Sequence, residues 1–145
     1  MGKVASDFAK ILKQNFDTAK EKAVFFVKKI ALGGFTDVSI NTPVDTGRAR
    51  ANWNISRVSP DISQGHGTMG DTEREATNNA NKVIREKSNN FDRLEIRLGD
   101  DIYFSNNVPY IAPLNDGSPD REGDHFVELA LQNMEKEAAN VVDLL

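Results

Sequence analysis

The sequence predicts an α+β fold: a small, mostly antiparallel sheet packed with a long N-terminal helix and a C-terminal helix. Three observations carry that prediction. Apolar residues recur at helical spacing near both ends of the chain. Between them lie short runs that alternate apolar and polar side chains. The resulting order lacks the regular strand–helix–strand alternation that a parallel sheet requires. With 145 residues, the chain has the size of one domain of about 100–150 residues. It is long enough to bury a core without covalent staples.

The first element is a helix over residues 4–32. Phe8, Leu12, Phe16, Ala19, Ala23, Phe26 and Ile30 fall three or four apart, and Ile11 and Val27 widen the stripe. Gly33-Gly34 reads as its stop. At 1.5 Å per residue the helix runs roughly 43 Å, more than a small sheet can cover. Ala23 to Val27, which includes Phe25 and Phe26, is apolar on more than one side. It is expected to meet a partner subunit.

Phe35 to Ile40 alternates loosely and reads as a strand. Pro43 turns the chain, and Asp45 reads as the N-cap of a short helix over 46–52. Trp53 to Val58 alternates as a half-buried strand. Ser59 to Gly70 is a loop. Thr72 and Glu75 form a capping box that opens a thin, exposed helix ending near Lys87, with a turn at Asn89-Asn90. The stretch 59–90 reads as a possible insertion. Leu94–Leu98, the Gly99-Asp100 turn and Asp101–Ser105 are expected to form a hairpin. An irregular, proline-marked stretch follows. A helix then opens near Asp124 and carries Phe126, Ala130, Met134, Ala138, Val141 and Leu145 on one face.

Composition excludes several kinds of chemistry. There is no cysteine, hence no disulfide scaffold, thiolate zinc site or thiol nucleophile. Two histidines leave little for a histidine-rich metal site. The longest apolar run is five residues, far short of the roughly 20 a spanning helix needs, so no membrane association is expected. The net charge of −4 is unevenly spread. Residues 1–32 hold seven lysines against three acids, whereas residues 99–145 hold ten acids against two bases. An acidic net charge argues against general affinity for nucleic acid, and opposite charge at the two ends suits contact between copies.

Three patterns invite a chemical reading. Gly65 to Gly70 matches G-x-G-x-x-G, so a small nucleotide-binding module or enzyme is the alternative function. The strand before it ends near Val58 and alternates, which does not suit a dinucleotide site. Asp116, Asp120, Glu122 and Asp124 lack the spacing of a calcium loop. Asp124-His125 has no nucleophile motif to serve. No catalytic, cofactor-binding or metal-ligating residue is therefore assigned, and no cofactor is expected.

Two segments carry an identification. Thr42-Pro43-Val44-Asp45-Thr46-Gly47-Arg48-Ala49-Arg50-Ala51-Asn52-Trp53 resembles the T-P-V-D-T-G-R-A-R-x-x-W signature of a family of tailed-bacteriophage head–tail connector and tail-completion proteins. Ile102 to Ser118, with Ser105-Asn106-Asn107-Val108-Pro109-Tyr110 at its centre, resembles that family's strand followed by S-N-N-x-P-Y-x-x-x-L-E-x-G-x-S. Asn115 stands where the family usually has glutamate, and Pro119–Asp124 is more acidic than in relatives.

The resemblance implies a non-enzymatic virion protein of the phage neck or head-proximal tail end, assembled in the host cytoplasm. Its partners would be further copies in a six- or twelve-fold ring and other neck, portal-side or tail proteins. Genome DNA would pass through without specific binding. Asp45, Arg48, Arg50, Trp53, Asn106, Asn107, Pro109 and Tyr110 are then candidates for fold-building or subunit contact, as are Phe25 and Phe26. Residues two apart on a helix face different ways, so Arg48 and Arg50 are expected to divide the work. One would brace the fold through a carboxylate and the other would reach a neighbouring subunit.

Overall fold

A computed structural model describes residues 2–143. It has the α+β architecture that the sequence predicts. The order is α1 (Gly2–Ile40), α2 (Arg48–Ala51), β1 (Asn54–Arg57), α3 (Glu73–Asp92), β2 (Ile102–Ser105), α4 (Ile111–Asp116), β3 (Gly117–Ser118), β4 (Arg121–Glu122) and α5 (Phe126–Val142).

Helix α1 is longer than expected, about 58 Å at 1.5 Å per residue. Gly33-Gly34 does not stop it, and Phe35–Ile40 is not a strand but its last turns. Ala31, Gly34, Phe35, Val38 and Ser39 are buried at one helical face. A Cβ at Gly34 would overlap the Met134 side chain, so glycine here allows α1 and α5 to approach. Gly33 faces open space.

The expected hairpin over 94–105 does not form. β2 pairs instead with β1, antiparallel, in the register Asn54↔Ser105 to Arg57↔Ile102. Leu94–Leu98 has no ladder, and Ile96 alone of its three apolar residues is buried. Arg57 ties this stretch to β1 by bonds to Glu95 O (2.8 Å) and Asp100 (3.2 Å). β3 and β4 form a second, minimal hairpin.

Thr72 caps α3 as predicted: its hydroxyl accepts from Glu75 N at 3.2 Å. The Glu75 carboxylate in return accepts from Asp71 N rather than from the cap's own N–H. The helix runs through Asn89-Asn90 to Asp92, so no turn occurs there. Nor is it thinly attached, for it buries Ala76, Ala80, Ile84 and Phe91. α2 starts at Arg48 with Gly47, not Asp45, at the cap position, whereas α5 opens after His125, next to Asp124 as expected. Leu145, expected on the α5 stripe, lies outside the described residues.

The core joins these elements. Phe35 and Val38 of α1, Trp53, Ile84 of α3, and Phe126 and Ala130 of α5 form one cluster. The rings of Phe35 and Phe104 stand 5.9 Å apart, and Trp53 meets Phe126 edge-on at 6.3 Å. The start of α1 stays outside: residues 2–22 are all exposed.

Candidate functional site

The first signature segment is the junction between α1 and the rest of the body. Thr42 follows the end of α1, is fully buried, and donates to Val38 O at 2.7 Å. The same hydroxyl accepts the indole N–H of Trp53 at 2.8 Å. Trp53 therefore anchors the core, and its one polar atom is satisfied. Gly47 has φ 77°, the left-handed conformation that glycine adopts freely. A Cβ there would press on Ala76 O and on Met69.

Arg50 braces the fold, but not through a carboxylate. Its guanidinium donates to Ile40 O (2.6 Å), to Thr42 O (3.0 and 3.2 Å) and to Asn81 Oδ1 (3.0 Å). It thus caps the carbonyl end of α1 and ties it to α3. Desolvation by burial lowers its pKa from the ordinary arginine value.

Arg48 faces the other way, as expected. Its guanidinium lies over the Tyr110 ring, 5.8 Å from the centroid, and donates to Gln64 at 3.2 Å. Tyr110 belongs to the second signature segment, so the two segments meet. They meet again at Asn106, which donates to Ala49 O at 2.7 Å and accepts from Val108 N at 3.1 Å. Asn107, Pro109 and Tyr110 are exposed, while Val108 between them is buried. Pro43 to Ala49 and Tyr110 line an open cleft of about 680 Å³ that also takes in Thr68, Leu114 and Arg121. Asp45 is an exposed residue of that wall.

The glycine loop is held to the body through backbone atoms. Asn52, fully buried, donates to His66 O (2.7 Å) and accepts from His66 N (3.2 Å). Asn54 holds Asp61 O and Ser63 O, each at 3.1 Å. Asn52, just after α2, and Asn54, at the start of β1, thus tie down the loop by its backbone. Among the described residues, no group of three or more acidic or histidine side chains is placed to hold a metal ion. Asp124 pairs with Arg121 at 2.5 Å, and His125 is 3.8 Å from Glu128.

Phe25 and Phe26, predicted to face a partner, stack edge-on at 5.5 Å. Phe25 is 62% exposed, whereas Phe26 is half-buried. Beyond them the arm of α1 leaves Phe8 61% and Phe16 65% exposed.

Three residues with defined polar roles were missed as site candidates. Asn52 sits inside the first segment, but nothing in a lone asparagine reveals a distant loop partner. Asn115 stands where the resembled family has glutamate, and it caps α5. It accepts from Val127 N at 2.9 Å and donates to Glu128 at 3.1 Å. Lys87 reaches the link between α2 and β1 and donates to Ala51 O and Trp53 O, both at 2.7 Å. Desolvation by burial brings its pKa down to about 8, with Asp61 opposing.

No family model matches the chain, and neither a curated protein nor a solved structure matches it.

Proposed function

We propose that this protein is a non-enzymatic structural component of a tailed-phage virion. It would form a ring in the neck or at the head-proximal end of the tail, joining head to tail and lining the DNA passage. One observation carries the proposal. The two segments that resemble the connector and tail-completion family, far apart in sequence, come together as one structure through Asn106–Ala49 and Arg48–Tyr110. A signature whose parts brace each other is what a shared fold would keep.

The exposed arm of α1 supports the assembly part. A soluble monomer gains nothing from a helix that leaves Phe8, Leu12 and Phe16 in water. The test is electron microscopy of purified protein and of phage particles carrying it. Ring-shaped density at the head–tail junction, labelled by an antibody to this chain, is the expected result. Particles whose necks carry no label, or protein that turns over a nucleotide, would defeat the proposal.

A further inference from the structure

Two apolar features stand out on the surface of the described residues. One is the arm, residues 2–22, where Val4, Phe8, Ile11, Leu12 and Phe16 form an exposed stripe. The other is a groove of about 640 Å³ between α1, β2 and α5, lined by Val27, Ile30, Tyr103, Leu131, Met134 and Ala138 among others. The arm is basic: Lys3, Lys10, Lys13, Lys20 and Lys22 outnumber Asp7, Asp17 and Glu21. Helix α5 on the groove's flank is acidic, with Glu128, Glu135 and Glu137 against Lys136.

We infer that the arm of one copy docks into the groove of a second copy. The inference rests on the assembly part of the proposed function and not on its place in the virion. An arm cannot fill its own groove. Val27 and Ile30 are part of α1 itself, so the arm runs on past the groove's end. No proline or glycine interrupts the helix between Lys3 and Leu32 to let it fold back. Arm against arm would set two positively charged helices side by side, whereas arm against groove sets lysines beside glutamates. An amphipathic helix laid in an apolar groove is a common docking mode. Because arm and groove are different surfaces, the contact is heterologous, and repetition gives a ring or an open filament.

A mixing experiment with the full chain decides the matter, read by light scattering after size-exclusion chromatography. Phe8→Asp/Leu12→Asp removes the arm's stripe, and Val27→Lys/Leu131→Lys spoils the groove. All four positions are well exposed, so both variants should fold, which circular dichroism verifies. Each variant alone should associate about a hundredfold more weakly than the unaltered chain. Mixed one to one, they should form a dimer that grows no further, since one intact arm meets one intact groove. A groove variant that assembles like the unaltered chain would overturn the inference and point to arm–arm packing. A mixture that stays monomeric, or an unaltered chain that does not self-associate at high concentration, would overturn it too. Dimers from the mixture with no label in phage necks would uphold the inference and defeat only the virion placement.

Discussion

Gly33 and Gly34 are neighbours with opposite duties. Gly34 lets α5 approach, whereas Gly33 faces solvent inside a helix, where glycine costs about 1 kcal/mol relative to alanine. Gly33→Ala should therefore raise stability by about 0.5–1 kcal/mol, seen as a higher urea midpoint. Gly34→Leu should lower it. Lys87 gives a second residue-scale expectation. Its folded pKa of about 8 lies below the ordinary lysine value of about 10.4. Between those two values the folded chain has lost a proton that the unfolded chain still holds, so stability rises with pH. Below about pH 8 both states hold the proton, and the cost of burying a charge is fully present. The neutral amine keeps two N–H groups for the two carbonyls it serves. Chemical denaturation at pH 7.5 and 9.5 should show the rise, and Lys87→Met should flatten it.

At the scale of elements, α5 depends on a residue that the resembled family replaces. Asn115 accepts from the start of α5 and donates to Glu128. A glutamate there would set one carboxylate against another. Asn115→Glu should cost about 1 kcal/mol, and Glu128→Gln should restore most of it, a coupling that a double-mutant cycle measures. Much at this scale was legible from the sequence. Helical spacing located α1, α3 and α5, and the Thr72–Glu75 pair placed the start of α3. Other features were hidden for physical reasons. A glycine pair looks the same whether it stops a helix or admits a neighbour. Phe35 and Val38 fit a helical face only once Ala31 and Gly34 are known to share it. The alternation of Leu94, Ile96 and Leu98 marks a strand only where a partner strand exists, and β2 had already found β1. Of the candidate site residues, Trp53, Arg50 and Asn106 build the fold, whereas Arg48, Tyr110 and Phe25 lie where a partner can reach them. No single sequence conveys that division, because it depends on what the far segment covers.

For the whole molecule, body and arm are separable. Residues 2–22 are exposed throughout, and the first side-chain hydrogen bonds described from α1 to the body come from Lys28, which donates to Asp92 O (2.7 Å) and Leu94 O (2.8 Å). Deleting residues 2–22 should leave cooperative thermal unfolding in place, with a midpoint within a few degrees of the full chain. The same deletion should abolish self-association. High salt should weaken assembly of the full chain, since it screens the lysines from the glutamates.

The pairing of α1 with α5 also sets an order of events during synthesis. Asp37 and Asn133, which touch across that pair, are 96 residues apart in the chain. Ser105 must likewise come back to Asn54 to close the ladder. Such distant contacts are slow to form, because a long loop must close before any of them is gained. On the ribosome, α1 emerges before its packing partner exists. The cluster around Phe35 and Val38 is complete only when α5 supplies Phe126 and Ala130, and the amphipathic arm waits beside it. The nascent chain thus carries sticky helical surface for most of its translation, which makes it a natural client for a chaperone. Ribosome-bound chains stalled before Phe126 should accordingly be protease-sensitive throughout, and resistance should appear only once α5 has cleared the exit tunnel.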